Sequence, residues 1–239
     1  MNPADPHDFS VSPRFQVRQC TREGCGLRFS IEMGDRKGER CPICRADTLA
    51  VPVEPAETIT GTSYGRAVIE REVGRATGPE LEVMLDNIRS AWNVGSMLRS
   101  CDGAGVRAVH LCGVSSTPDH PKVAKTALGA EKSLPWHFHP DGFAAVRQMK
   151  AQGLRLWALE GGERAESIFD LVEELPGSPL VLVAGNELSG VDPGILALCD
   201  RVVCLPMQGI KGSLNVAVAF GIAVYTIRFG ARAGEMLRR

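Results

Sequence analysis

Several things are missing from this 239-residue chain, and each absence removes a class of function. There is no basic excess: 27 Lys and Arg stand against 28 Asp and Glu, a formal net charge of −1, so any nucleic-acid contact must rest on local clusters. There is no apolar run long enough to cross a bilayer. The longest strongly apolar stretch, Leu214 to Ile227, carries helix signals and reads as a buried helix. The first residues, Met1-Asn-Pro-Ala-Asp-Pro-His-Asp8, have neither a basic start nor an apolar run, so no export signal is visible and a cytoplasmic protein with no membrane partner is expected. No Gly-rich strand-to-helix phosphate loop with a downstream acid is found, which argues against a nucleotide-binding α/β enzyme. His110, His120, His137 and His139 have no metal-ligand partners at useful spacing and are expected to be core or surface histidines.

What is present is enough for one good core and a small accessory module, since 44% of the residues are apolar. Four of the eight cysteines form two knuckles, Cys20-Thr-Arg-Glu-Gly-Cys25 and Cys41-Pro-Ile-Cys44, fifteen residues apart. A tight turn with a cysteine at each end supplies two thiolates, and two such turns complete a tetrahedral zinc site. Gly26 and Pro42 suit turns whose backbone N–H groups point back at sulfur. A disulfide pair or four unrelated thiols are the alternatives. Disulfides are disfavoured in a reducing compartment, and so short a segment has too little apolar content to fold unaided. Leu27 to Ile31 and Gly34 to Gly38 read as a hairpin between the knuckles, giving a zinc ribbon. Cys101, Cys112, Cys199 and Cys204 lie among apolar neighbours and read as buried structural thiols.

The ribbon segment is rich in both signs of charge. Arg14, Arg18, Arg22, Arg36, Lys37, Arg40 and Arg45 are nearly offset by Glu23, Glu32, Asp35, Glu39 and Asp47, so a phosphate-binding face and a merely solvated one both remain open. Prolines, small polar residues and charge from Val51 onward predict a linker or strap. The expected division is residues 1–52 for tail and ribbon, 53–77 for the linker and 78–239 for the main domain.

In that domain, strand-length apolar runs alternate with helical patterns. Strands are expected at Leu81–Leu85, Ala108–Cys112, Leu154–Ala158, Leu180–Ala184 and Arg201–Leu205, and helices at Ala91–Ala104, Gly142–Gln152, Ile168–Glu174 and Ser213–Phe229. Such alternation predicts a parallel α/β sheet with both faces covered and a ligand at the carboxyl ends of its strands. Periodicity does not distinguish this sheet from a Rossmann domain.

Two of the strands run into Gly-rich loops: Val183-Ala-Gly-Asn-Glu-Leu-Ser-Gly190, and Leu205-Pro-Met-Gln-Gly-Ile-Lys-Gly-Ser-Leu-Asn-Val-Ala-Val-Ala219. Side by side they would offer rows of backbone N–H and C=O groups to a polar ligand. Together with Asn93-Val-Gly-Ser-Met-Leu-Arg99, they resemble the three motifs of the SpoU (TrmH) family of the SPOUT superfamily, S-adenosylmethionine-dependent RNA ribose 2′-O-methyltransferases. The resemblance covers roughly Leu81 to Gly230 and implies a parallel-sheet SPOUT domain with a C-terminal trefoil knot, a feature that sequence physics alone would never propose. It also implies structured RNA, tRNA or rRNA, as substrate, and a homodimer in which one protomer brings the substrate arginine to the other's donor pocket.

By the same resemblance, Asn93 and Arg99 meet the target ribose, and their spacing of six lets a helix and its leading loop present both to one region. A guanidinium is essentially never deprotonated at neutral pH, so Arg99 is expected to hold the adjoining phosphate and stabilise the developing 2′-oxyanion; an ion-paired surface arginine is the alternative. Gly185 and Asn186 fall to the methyl-donor pocket, with Gly185 allowing close backbone approach and Asn186 tolerating a left-handed turn. Glu187 belongs to the polar residues that order pocket or substrate, or else caps the next helix. Leu205, Met207 and Leu214 would cradle adenine and ribose, with Pro206 and Gly209 shaping the loop. Ser213 and Asn215 would position the substrate, although capping is the ordinary use of a serine there. Ala217 stands where the family pattern often has a second serine. Lys122 and Lys125 would touch RNA phosphates or simply be solvated. A noncatalytic zinc-ribbon RNA-binding protein with a relic methyltransferase domain is the rival reading; intact Arg99, Glu187, Ser213 and Asn215 argue against it.

Overall fold

Two sheets organise the chain in a computed structural model that describes residues 15–52, 79–171, 174–177 and 179–236. The expected linker, 53–77, lies outside the described residues. The smaller sheet is antiparallel, with β1 (Phe15–Cys20) between β2 (Arg28–Glu32) and β3 (Thr48–Ala50). The expected hairpin is corrected here. Its first half pairs backwards with residues upstream of the first knuckle, and the stretch after Gly34 forms a turn and a 3-10 helix, Arg36–Glu39, capped by Asp35. Among the described residues the ribbon's core cluster is small, Cys20, Leu27, Phe29 and Cys41 with a few partly buried neighbours, one of which, Val114, comes from the main domain.

The larger sheet has seven strands, all parallel: β4 (Leu81–Asp86), β5 (Ala108–Cys112), β6 (Trp136–His139), β7 (Arg155–Leu159), β8 (Glu166–Ser167), β9 (Leu180–Ala184) and β10 (Arg201–Cys204). Their order is β6-β5-β4-β9-β7-β10-β8. β5 and β9 are buried along their whole length, as strands covered on both faces must be. Alternate residues feed two cores. Val83, Leu85, Leu111 and Leu182 meet α1 (Ala91–Ala104) and α6 (Val216–Met236) on one face. Met84, Ala158, Val181 and Val183 meet α4 (Gly142–Ala151) and α5 (Pro193–Leu198) on the other.

The helix ends follow local chemistry. Ser90 caps α1 by accepting from Asn93 N at 3.3 Å, and Gly105, with φ of 66°, ends it in the left-handed region. Gly95 lets α1 touch α2 (Pro121–Ala127): a Cβ there would overlap Thr126 and the Val123 carbonyl. A four-residue helix, α3 (Ala130–Ser133), follows. The helix expected at Ile168–Glu174 is not an α-helix: residues 168–171 are turns with i to i−3 bonds such as Leu171 N to Ile168 O. No helix among the described residues is long and apolar enough to cross a membrane.

α6 is longer than its apolar pattern suggested and has two apolar faces. Phe220, Ala223, Val224 and Ile227 are buried in the core, while Val218, Ile222, Tyr225 and Phe229 form an exposed stripe at helical spacing.

Candidate methyl-donor site and cysteine centre

A cavity of about 410 Å³ opens at the carboxyl ends of β7, β9 and β10, closed on one side by the start of α6. Its size is ordinary for a small-molecule site, and its location is where open parallel sheets bind ligands. Of the residues singled out from the sequence, Gly185, Asn186, Glu187, Leu205 and Met207 line it, as do Ser213, Leu214 and Asn215. Leu159, Glu160, Cys204, Leu188 and Val216 also line it and were not anticipated. Glu160 was findable, because it directly follows a parallel strand and precedes Gly161-Gly162. Cys204 was read as a buried structural thiol; it is half-buried at the cavity wall.

Gly185 is required by the loop itself. A Cβ there would overlap the backbone of Gly190 and Val191, so the close approach is made by the returning chain rather than by a ligand. Asn186 is not left-handed, since Asn87, Arg45 and Leu128 are the only non-glycine residues with positive φ among those described. Its buried side chain donates to Asn87 O at 2.8 Å and accepts from Leu188 N at 2.9 Å and Ser189 N at 3.2 Å, which shapes the turn. Glu160 braces the same loop by accepting from Val191 N at 3.0 Å.

Glu187 caps a helix, but not the one that follows it in sequence. Its carboxylate accepts from Arg89 N at 2.8 Å, Ser90 N at 3.0 Å and Asn93 Nδ2 at 2.9 Å, all at the start of α1. Burial alone would raise its pKa; these donors outweigh burial and hold the carboxyl below the usual range. Asn93 Oδ1 in turn accepts from Asn215 Nδ2 at 3.3 Å, so one residue from each motif joins a single chain of polar contacts. Asn215, not Ser213, caps α6, through Ala217 N at 2.9 Å. Ser213 is exposed at the cavity.

Gly209 and Arg99 are not among the cavity's lining residues. Both Asn93 and Arg99 lie within α1, where six residues turn the helix by roughly 240°. They therefore face different directions. Asn93 points at Glu187, and Arg99 is exposed with no hydrogen bond or ion pair to another described residue.

The four ribbon cysteines come together as the spacing implied, with ligand atoms within 4.8 Å of one another. Cys20 Sγ lies 3.4 Å from Cys44 Sγ, and Cys25 Sγ lies 3.9 Å from Cys41 Sγ. Tetrahedral thiolates at about 2.3 Å from zinc are about 3.8 Å apart, so the set fits that ion. Arg22 N donates to Cys20 Sγ at 3.4 Å, the inward-pointing N–H such knuckles use. Burial pushes the Cys20 thiol up to about 12, whereas the Ala46 N–H draws Cys44 down to about 7. A bound dication would displace these protons. Among the described residues no other group of three or more His, Cys, Asp or Glu side chains comes together closely enough to hold a metal ion. His110, His137 and His139 nonetheless cluster through strand register, with His110 against Glu82 at 3.0 Å and His139 at 3.0 Å, which agrees with a core role for His110.

The cavity's donor set fits S-adenosylmethionine. Apolar walls from Leu159, Leu205, Met207 and Leu214 suit adenine and ribose, and the carboxylates of Glu160 and Glu187 give negative charge near a sulfonium cation.

Comparison with known proteins agrees with this geometry. A tRNA (guanosine(18)-2′-O)-methyltransferase of Thermus thermophilus is 34% identical over 154 residues, 64% of this chain and 77% of the relative. The 23S rRNA (guanosine-2′-O-)-methyltransferase RlmB of Pseudomonas aeruginosa is 31% identical over 219 residues, 90% of this chain and 83% of the relative. Among solved structures, the SpoU methyltransferase AviRb from Streptomyces viridochromogenes, in complex with AdoMet, superposes with a TM-score of 0.59 at 26% identity, covering 66% of this chain and 62% of AviRb. The TrmH/SpoU tRNA modifying enzyme of A. aeolicus gives 0.57 at 26% identity, covering 67% of this chain and 79% of the other. The model of the SpoU rRNA Methylase family matches residues 80–225, which hold the sheet, all three motifs and the cavity: the chain belongs to that family.

Proposed function

We propose that this protein transfers a methyl group from S-adenosylmethionine to a ribose 2′-hydroxyl of tRNA or rRNA. The observation that carries the reading is the convergence of second- and third-motif residues on one cavity, with Glu187 linking its wall to Asn93. S-adenosylmethionine supplies a methyl carbon already activated by its sulfonium centre, so the work left to the protein is alignment. Leu205, Met207 and Leu214 hold the adenosine, Gly185 and Asn186 fix the loop that frames it, and Gly209 gives the third motif's loop its bend. Asn93, Ser213 and Asn215 orient the ribose, and Glu187 keeps Asn93 in place.

Arg99 serves the cavity of a second protomer. It is exposed and apart from its own chain's cavity, and the stripe Val218, Ile222, Tyr225 and Phe229, left exposed by the described residues, supports a homodimer packed along α6. There Arg99 grips the adjoining phosphate and stabilises the 2′-oxyanion as a fixed cation. The same reading includes the trefoil knot, structural zinc on Cys20, Cys25, Cys41 and Cys44, and the division into ribbon, linker and catalytic domain.

The test is transfer of labelled methyl from S-adenosylmethionine to tRNA and 23S rRNA transcripts, followed by 2′-O-methyl mapping. A guanosine is the first site to inspect, since the two sequence relatives are named for one. Label at a single ribose is the expected result. No label in either RNA, with no heat of binding in calorimetry against S-adenosylmethionine, would overturn it.

A further inference from the structure

The ribbon is bolted to the catalytic sheet by a charge that neither motif analysis nor the relatives' names account for. Arg28, the first residue of β2, is only 5% exposed, and its guanidinium forks onto Asp192 with Nε to Oδ2 at 2.8 Å and a terminal nitrogen to Oδ1 at 3.2 Å. Asp192 itself is 1% exposed. The same guanidinium lies 5.0 Å from the centre of the Phe143 ring, and the Arg28 backbone N–H donates to Pro140 O at 2.7 Å. A buried arginine is rare unless it is paired, and this one is paired across the two modules.

From Asp192 an unbroken run of hydrogen bonds leads to the methyl-donor loop. Asp192 N donates to Asp86 Oδ2 at 3.0 Å, and Asn87 Nδ2 donates to Asp86 Oδ1 at 2.9 Å. Asn87 is one of the few left-handed non-glycine residues, with φ of 57°, and its side-chain oxygen accepts from Val114 N at 3.2 Å. Its carbonyl accepts from Asn186 Nδ2 at 2.8 Å, and Asn186 Oδ1 holds the N–H groups of Leu188 and Ser189. Between Asn186 and Leu188 sits Glu187. Asp86 and Asp192 are both buried, the charge of each is felt by the other, and Arg28 ion-pairs Asp192 while its charge also favours the ionised Asp86.

We propose that Arg28 is a positioning residue for the methyl-donor loop, so that the ribbon sets the affinity for S-adenosylmethionine by fixing Asp192, Asp86, Asn87 and Asn186 in turn. The ribbon is then part of the catalytic domain's architecture rather than a tethered accessory. Without the guanidinium, two buried acids lose their counter-charge, and the strained Asn87 that hands the Asn186 side chain its acceptor is released.

This inference rests on the proposed methyl-donor site, and its test separates the two. In full-length protein, Arg28→Met and Arg28→Lys are compared with Gln19→Ala, which removes a second side-chain hydrogen bond from the ribbon, Gln19 Nε2 to Asp141 Oδ2 at 2.9 Å, off the path. Two readouts are taken: the Kd for S-adenosylmethionine by calorimetry, and hydrogen exchange of the Leu188 and Ser189 amides in ligand-free protein. Arg28→Met is expected to weaken the cofactor at least tenfold and speed exchange of both amides, Arg28→Lys to give a smaller effect of each kind, and Gln19→Ala to leave both unchanged. A double-mutant cycle with Asn186→Ala should be clearly non-additive, because both changes break one run of contacts. Unchanged Kd and exchange in Arg28→Lys and Arg28→Met, or a loss confined to KM for RNA, would overturn the inference. If the unaltered protein binds no S-adenosylmethionine, the proposed site fails, and the exchange rates alone decide whether Arg28 holds the loop. Should Arg28→Met not fold, Arg28→Lys and the exchange measurement carry the same decision.

Discussion

Glu187 and Asn93, ninety-four residues apart in sequence, are joined by a 2.9 Å hydrogen bond from the Asn93 amide to the carboxylate. Through it the loop after β9 caps α1, two elements from opposite ends of the domain, and a cavity wall gains a fixed edge.

Replacing that carboxylate should therefore uncouple the two motifs. Glu187→Ala leaves two N–H groups and the Asn93 amide without their acceptor and is expected to cost about 1–3 kcal/mol of stability and most of the methyl-transfer rate. The pH dependence has a definite sign. Because the folded carboxyl titrates below its unfolded value, the stabilisation is present above about pH 4.3 and is lost as pH falls through the lower folded value. Thermal unfolding of Glu187→Gln and the parent should thus converge in acid and separate near pH 7.

Arg99 should behave in the opposite way. It is exposed and has no ion pair with another described residue, so Arg99→Ala is expected to change stability by less than about 0.5 kcal/mol while abolishing transfer. Mixing inactive Arg99→Ala with an inactive Ser213→Ala protein rebuilds one intact composite site per mixed dimer. Random exchange then restores about a quarter of full activity, whereas a monomeric site restores none.

The cysteine set makes a stoichiometric prediction. Native mass spectrometry is expected to find one zinc per chain, lost in Cys20→Ser. Because the ribbon core is so small, chelation should remove the protection of β1 and β2 amides from hydrogen exchange. Retained protection in metal-free protein would contradict a metal-held ribbon.

Gly185→Ala tests packing rather than chemistry. The added methyl meets the backbone of Gly190 and Val191, which cannot rotate away, so a cost of about 1–3 kcal/mol is expected together with loss of S-adenosylmethionine binding. Calorimetry at a temperature well below the variant's Tm separates the two effects.

Asp86 gives a second pH signature. Burial, together with the charge of Asp192, raises its carboxyl to about 7, opposed by bonds from Asp192 N and Asn87 and by Arg28. A raised acid binds its proton more tightly folded than unfolded, so stability falls as pH rises from about 4 toward 7 and is level above that. Asp86→Asn should remove that slope in a series of unfolding measurements from pH 4 to 8.

Much of this was legible beforehand. α1 and β5 begin and end where the apolar pattern placed them, and the structure shows Ser90 and Gly105 closing the two ends of α1. The four-cysteine cluster was legible because knuckle spacing is local. Asn93 and Arg99 were misjudged as neighbours, since both fall inside one helix and six residues do not return to the same face. Ile168–Glu174 looked helical from its apolar spacing, yet Glu166 and Ser167 just before it pair with β10 and residues 168–171 follow as turns. The histidine cluster and the Arg28–Asp192 pair left no trace in spacing, because strand register and module docking create them.

By itself the sequence determined which segments alternate between strand and helix, which four thiols come together, and which three motifs belong to one family, since each is written in neighbouring residues. Only the tertiary structure decided which side chains meet. Glu187 finds the wrong-looking helix and Arg28 crosses between modules, because burial and hydrogen-bond satisfaction are settled among residues 98 and 164 positions apart in the chain.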